Sequence, residues 1–443
     1  MKNAPHPNAP YRNAPYRIAI AGLGTVGLGL IELIEKNAAL IGARAGRSIE
    51  IIGINARNRT KDRGLDLTAY PWIDDPMDMP DLDGIDGVVE LIGGDSGTAL
   101  TLARKTLAAG KDFITANKAL LAVHGAELAE TSEATGGAIA YEAAVAGAVP
   151  VIKTIRESLA GNAIGKIGGI LNGTCNFILS AMESTGAAYG DVLKQAQDLG
   201  YAEADPTTDV GGFDAAHKLT LLSALAFGTP PDFSACTVQG IEGVSDQALA
   251  YADRLGYRIR LIGLADGKTT GVAPMAVPKD GPLGGVTGSH NAIQILCDQA
   301  GPIFLRGPGA GRSETASAVA GDLIDLALGL ARPAFGMAAS NLDTAQGNAA
   351  ADGAGGPSSE SHLVILRVRD EPGVMAALTQ ELAAHHVSVD QLLQPAGHDG
   401  FSDLALITHE NSPERLAASW QALSGQAFVV SPIEAYRIER FDT

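Results

Sequence analysis

Apolar and polar positions fall into two patterns along the chain. From Arg17, RIAIAGLG is a continuous apolar run, whereas over 26–41 Val26, Leu30, Leu33 and Ile34 recur at i, i+4, i+7 and i+8. The first pattern predicts a buried strand and the second an amphipathic helix. The alternation returns in IEIIGINA (49–56), in GVVELIGG (87–94) and in a helical stretch between 96 and 111. Strand and helix in turn imply an α/β chain with a parallel, doubly wound sheet. Residues 341–360 break the pattern, with Leu342 as their one large apolar residue, and read as a linker. Beyond it, 361–443 runs strand, helix, strand, strand, helix, strand, the βαββαβ order of a ferredoxin-like unit. Its first helix carries Val374, Ala377, Leu378, Glu381 and Leu382 on one face, with Pro372 expected in the first turn.

The start repeats Asn-Ala-Pro at 3–5, 8–10 and 13–15 and buries little apolar surface, so 1–16 is expected to be a disordered leader. These shifts divide the chain into a leader, a body, the linker and a tail over 361–443. The linker offers little apolar surface to couple the parts, so the body is expected to fold without the tail.

Charge narrows the partners. The formal net charge of −18 gives no broad basic footprint for nucleic acid or an anionic membrane, which leaves small molecules. No run of 18 apolar residues exists to span a bilayer. Cys175, Cys236 and Cys297 lie far apart without CxxC spacing, so neither a disulfide framework nor a zinc site is indicated. A reducing cytoplasm is the expected compartment.

Gly22, Gly24 and Gly27 form G-x-G-x-x-G where the first strand gives way to a helix. A tight turn, close backbone approach and unpaired helix N–H groups together suit a dinucleotide pyrophosphate, the Rossmann-type arrangement. The second strand then ends in Asn55 rather than an acidic residue and is followed by Arg57, Arg59, Lys61 and Arg63. A cationic cluster suits the 2′-phosphate of NADP, with NAD and a merely solvated basic loop as the alternatives.

The densest chemistry lies in GYAEADPTTDVGGFDAAHK (200–218), where Glu203, Asp205, Asp209 and Asp214 crowd together and Lys218 follows Asp214 by four. On a helix those two share a face. A surface ion pair would explain them, but not the glycine and proline that stiffen the surrounding carboxylates. Lys118 follows the apolar Phe113 and Ile114, at the strand edge where open α/β sheets bind ligands. His217, on another helix face, reads as structural. A neighbouring cation lowers a lysine's pKa and carboxylates raise it, and the residues alone do not order the two effects.

Together these residues resemble the homoserine dehydrogenases. The resemblance is carried by AGLGTVGLG (21–29), TANKALLA (115–122), EAAVAGAVP (142–150), GGILNGTCNFIL (168–179), GYAEADPTTDVGGFDAAHKL (200–219) and GPGAGRSETASAVAGDL (307–323). It implies reversible NAD(P)H-dependent reduction of L-aspartate 4-semialdehyde to L-homoserine, on the route to threonine, methionine and isoleucine. It implies that Lys218 and Lys118 flank the reacting carbon, Lys218 being the usual proton carrier. Glu203, Asp209 and Asp214 would hold the substrate's ammonium and orient Lys218, while Asn172, Gly173 and Thr174 line its pocket. Gly22, Gly24, Thr25, Val26, Gly27, Arg57, Gly93, Gly94, Lys118 and Gly309 would meet the nucleotide. Glu142 with the carbonyls of Val145, Gly147 and Val149 would bind a monovalent cation, normally Na+. The tail resembles an ACT domain through RDEPGVMAAL (369–378), which implies an amino-acid effector such as threonine at Gly373. The resemblance carried by the body's motifs also implies a nucleotide unit over 17–150 plus 308–340 and an α+β substrate and dimerisation unit over 151–307. A homodimer or homotetramer is implied as well. A dehydrogenase for another amino-acid aldehyde, or a non-catalytic amino-acid sensor, are the competing assignments.

Overall fold

The computed structural model describes residues 14–342 and 359–441. Five short strands make the first sheet: β1 (Tyr16–Ala21), β2 (Ile49–Asn55), β3 (Gly87–Glu90), β4 (Asp112–Thr115) and β5 (Ile139–Ala140). They are all parallel, in the order β2-β1-β3-β4-β5. That order places a topological switch point between β1 and β3, the crevice where such sheets bind ligands. The helix Thr25–Lys36 follows the glycine turn, and the distant helix Arg312–Ala327 packs beside it. Leu30, Ile31, Val319 and Leu323 share one core with Ile18 and Ile20 of β1.

Two local boundaries differ from expectation. The helix foreseen over 26–41 is two helices, Thr25–Lys36 and Ala38–Ala45, because Asn37 leaves helical geometry while its N–H donates to the Leu33 carbonyl and closes the first. The leader drawn to residue 16 overlaps β1: Tyr16 is buried and its hydroxyl donates to Asp112 Oδ2 at 2.6 Å. Residues 1–13, which carry most of the expected leader, lie outside the described residues.

The second sheet holds β6 (Ile164–Ile170), β7 (Thr237–Val238), β8 (Tyr257–Ala265), β9 (Thr270–Pro278), β10 (His290–Cys297), β11 (Gly301–Pro308), β12 (Ser361–Arg369), β13 (Val389–Leu393), β14 (Phe401–Thr408) and β15 (Glu434–Ile438). Its order is β11-β10-β6-β8-β9-β15-β12-β14-β13, with β7 paired to β9. The helix Phe213–Phe227 lies across β6, β8 and β9 and is buried on nearly every side, which its run of Ala, Leu and Phe allows. It also packs on the helix Lys118–Thr135 of the first sheet, and so brings Lys218 toward Lys118.

The tail has the expected βαββαβ order, with helices Val374–Ala384 and Pro413–Ser424. Its first helix begins one residue after Gly373, whose φ of 95° is incompatible with a helical position, so Pro372 precedes the helix rather than lying in its first turn. Body and tail are in contact through the last strand. β15 pairs in parallel with β9 at Ile438 and Ala276, and Glu439 donates its N–H to the Ala276 carbonyl at 2.9 Å. Phe441 is buried among Ile170, Ile262, Leu264 and Met275 of the body. Composition marked the linker as weakly apolar, but the coupling is made beyond it, by the last strand. Of that linker, Leu342 packs into the body's core and Glu360 pairs with Asn411, while 343–358 lie outside the described residues. Among the described residues no helix is long and apolar enough to cross a membrane.

Phe441→Ala should therefore lower the stability of the full chain by about 3–5 kcal/mol, the usual cost of emptying a buried phenylalanine site. Denaturant unfolding checks this, and a loss below about 1 kcal/mol would show that the tail is not coupled through this residue.

Candidate active site

The carboxyl ends of β1, β3 and β4 form one edge. A Cβ at Gly22 would collide with the Leu91 carbonyl, and one at Gly27 with the Gly22 carbonyl, so these two glycines let strand, turn and helix close together. At Gly24 a Cβ would meet nothing within 4 Å, and the helix it caps receives no side-chain hydrogen bond there. Thr25 and Val26 then open a helix whose N–H groups face an open cradle, which fits a pyrophosphate. Of the basic residues after β2, Arg63 lies against the turn, its Nε donating to the Leu23 carbonyl at 3.3 Å, whereas Arg57 is exposed.

A buried carboxylate shapes the next two loops. Glu90 Oε1 accepts the N–H groups of Ile92 at 2.7 Å and Gly93 at 2.8 Å, and the Thr115 hydroxyl donates to Oε2 at 2.6 Å. Asn117 donates through Nδ2 to the Gly94 carbonyl at 2.7 Å and caps the following helix by accepting the Leu120 N–H. Gly93 and Gly94 turn away at φ of 86° and 87°, a conformation that glycine adopts at little cost. Glu90 and Thr115 did not stand out in the sequence, and Asn117 did so only as the neighbour of Lys118. Their signal was faint: polar residues ending two apolar strands.

Lys118 is the first residue of the helix that Asn117 caps. Its Nζ lies 3.1 Å from Asp214 Oδ1, while Lys218 Nζ lies 2.7 Å from Asp214 Oδ2 and donates at 2.8 Å to the Leu171 carbonyl. Asn172 completes the cluster by donating through Nδ2 to Asp214 Oδ2 and to Asp209 Oδ1, each at 2.8 Å. Burial pushes the Asp214 carboxyl up, but Lys218 and Lys118 outweigh it and hold the group well below the ordinary carboxylate range. The charge of Asp214 in turn raises Lys118 against the opposing effect of burial. Burial raises Asp209.

Other expected residues sort themselves around this clamp. The Thr174 hydroxyl donates to the Tyr201 carbonyl at 2.8 Å, and a Cβ at Gly173 would fall 2.5 Å from the Ser289 carbonyl oxygen. Glu203 is exposed, and among the described residues its carboxylate makes no hydrogen bond to the cluster. His217 packs against Phe233 in a tilted ring pair, with centroids 4.3 Å apart.

Glu142 is buried, with Oε1 accepting the Ile152 N–H at 3.0 Å and Oε2 the Lys153 N–H at 2.8 Å. Burial and then Asp322 push its carboxyl up to about 7, and burial pushes Asp322 up to about 6. Ala146 and Gly147 turn in succession at φ of 57° and 54°, between the buried Val145 and Val149. Asp322 and Asp325 share the Lys153 ammonium and Arg156 also favours the charged form of Asp322, while Glu142 relies on two backbone N–H groups, so a hard cation beside Glu142 would fit its carboxylate. Among the described residues no three His, Cys, Asp or Glu side chains converge on a metal position, so such an ion would depend on backbone carbonyls.

Comparison with known proteins decides the family. The family model for homoserine dehydrogenase matches residues 150–324, the model for the homoserine dehydrogenase NAD-binding domain matches 22–142, and the ACT domain model matches 362–425. A homoserine dehydrogenase of Neisseria gonorrhoeae is 39% identical over 413 residues, 92% of this chain and 94% of that protein. One of Pseudomonas aeruginosa is 39% identical over 419 residues, 93% and 95% of the two. The chain belongs to the homoserine dehydrogenase family. It is thus an oxidoreductase with an NAD-binding domain and an ACT domain, of which the latter fits regulation. The crystal structure of a homoserine dehydrogenase from Thiobacillus denitrificans superposes with a TM-score of 0.86 at 37% identity, over 97% of this chain and 99% of that one. A hyperthermophilic archaeal homoserine dehydrogenase in complex with NADPH gives a TM-score of 0.63 at 26% identity, over 72% and 100%.

Asp214→Asn should cost about 3–5 kcal/mol at pH 7, because two ammonium groups lose their shared carboxylate. Asp214 titrates below its ordinary 3.8, so its contribution is complete above that pH and is lost as the pH falls through the lower folded value. The deficit of the variant should accordingly shrink below pH 3.8; equal deficits at pH 7 and pH 3 in urea unfolding would contradict the clamp.

Proposed function

We propose that this chain reduces L-aspartate 4-semialdehyde reversibly to L-homoserine with NADPH, and that Lys218 transfers the proton. The observation that carries this is the convergence of two ammonium groups on one buried carboxylate at the nucleotide edge of the first sheet. Bound NADPH supplies the hydride to the aldehyde carbon, and negative charge develops on the carbonyl oxygen. An ammonium has three N–H donors. Asp214 and the Leu171 carbonyl take two from Lys218, which leaves the third for the substrate oxygen. That N–H stabilises the developing charge and then delivers the proton, so the product is the neutral alcohol. Lys118 adds a second positive charge on the other carboxylate oxygen. Asn172, Gly173 and Thr174 would line the substrate pocket, and Asp209 would bind the substrate's ammonium, with Glu203 joining from its exposed stretch.

NADP is the proposed dinucleotide because Arg57, Arg59, Lys61 and Arg63 follow β2, and Gly22 to Gly27, Gly93, Gly94, Lys118 and Gly309 would contact it. Glu142 with the carbonyls of Val145, Gly147 and Val149 would hold sodium. The Gly373 turn would take an amino acid such as threonine by its carboxylate. The edge strand β11, with Phe304 exposed, would serve a homodimer or homotetramer.

NADPH should be oxidised only when aspartate semialdehyde is added, and Lys218→Ala should lower turnover by roughly 10²- to 10⁴-fold while still binding cofactor. Turnover within about twofold of the parent would remove Lys218 as donor. In the same assay Arg57→Ala should weaken NADPH more than NADH, since only the former carries the 2′-phosphate, and equal weakening would sink that assignment. Replacing sodium by choline should lower the rate and threonine should inhibit it; indifference to either removes the corresponding site.

A further inference from the structure

The Leu171 carbonyl that anchors Lys218 serves a second donor. Asn291, the second residue of β10, donates to it through Nδ2 at 3.0 Å, beside the 2.8 Å bond from Lys218 Nζ. Asn291 is fully buried, and since only its amide nitrogen can donate to a carbonyl, the orientation of the amide is fixed. Its Oδ1 is buried and has no donor among the described residues. The other contact of this amide is the turn after β11: a Cβ at Gly309 would collide with it, and a Cβ at Gly147 would in turn fall 2.7 Å from the Gly309 carbonyl oxygen. One side chain therefore touches both the anchor of the catalytic lysine and the late glycine turn.

A purely structural role does not account for this choice of residue. A buried acceptor without a donor costs free energy, and leucine would fill a similar volume without that cost. Leu171 also lies just past the last β6 residue paired to β10, Ile170 opposite Ala292, so the ladder does not hold its carbonyl. Two donors from two elements, the helix Phe213–Phe227 and β10, hold it instead.

We infer that Asn291 is a positioning residue for the reaction: by fixing the Leu171 carbonyl against the Gly309 turn, it sets the direction of the free N–H of Lys218. The inference rests on Lys218 as the proton-transfer group. Loss of the donor lets the carbonyl swing, and a misplacement of the ammonium by even an ångström slows proton delivery without changing what binds.

The test uses the full chain with Asn291→Ala and with the isosteric Asn291→Asp, which replaces the donor by an acceptor. Each is read by thermal unfolding, NADPH fluorescence titration, kcat, KM for the aldehyde and the solvent deuterium effect on kcat. Expected are near-parental NADPH affinity and KM, a kcat lower by roughly tenfold to a hundredfold, and a larger solvent isotope effect as proton transfer becomes slower. A folded variant with kcat within about twofold of the parent, or with lowered kcat and an unchanged isotope effect, overturns the inference. Should both fail to fold, Asn291→Leu replaces them: lowered kcat with the larger isotope effect supports the inference, parental kcat overturns it, and failure of all three to fold assigns Asn291 to the scaffold and overturns it too. Lys218→Ala, measured alongside, separates the two assignments. If it keeps turnover, Lys218 itself is misassigned; if it loses turnover while the Asn291 variants keep theirs, only the positioning role falls.

Discussion

Asp214 stands in the first turn of the helix Phe213–Phe227 almost without solvent, and a carboxylate so placed keeps its charge only because Lys118 and Lys218 stand on its two oxygens. The helix N-terminus adds favourable potential. Lys118 is delivered from the edge of the first sheet and Lys218 from the helix that crosses the second, so the two sheets must meet at this point for the charges to balance. The geometry that settles the electrostatics also leaves one N–H of Lys218 uncommitted. The same three side chains therefore carry both the charge balance of the core and the proposed chemistry.

The rest of the site is arranged around where those lysines begin. Glu90 ties the loops after β3 and β4 to each other, so the start of the Lys118 helix is fixed relative to the turn at Gly93 and Gly94. On the other side, β6 runs directly into Leu171 and Asn172, which hold Lys218 and Asp214. Phe441, the end of the described tail, packs on Ile170 of the same strand. The ACT domain is thus part of the sheet that supports the clamp, not an appendage on a tether.

Much of this was legible because it is local. Short apolar runs and period-3.6 patterns gave the alternation in the first sheet and the βαββαβ order of the tail, the glycine spacing gave the turn, and the four-residue spacing of Asp214 and Lys218 gave their shared face. What was not legible depends on partners far apart in the chain. Nothing near Lys118 announces Asp214, 96 positions away, and nothing near Asn291 announces the Leu171 carbonyl. Phe441 reads as the end of a strand until β9 is seen beside it. Asn37 could have been noticed, since asparagine is a poor helix former and a ready terminator. Glu203 shows the opposite failure: a carboxylate crowded in sequence with Asp209 and Asp214 that stands apart from them in space.

The most direct measurement is a crystal structure with NADPH and L-homoserine bound together, a pair that cannot react because both are reduced. The account predicts the homoserine hydroxyl oxygen within about 3 Å of Lys218 Nζ, in the direction left free by Asp214 and the Leu171 carbonyl. A hydroxyl bound away from Lys218, with both of that lysine's present hydrogen bonds intact and its third donor turned elsewhere, would contradict it.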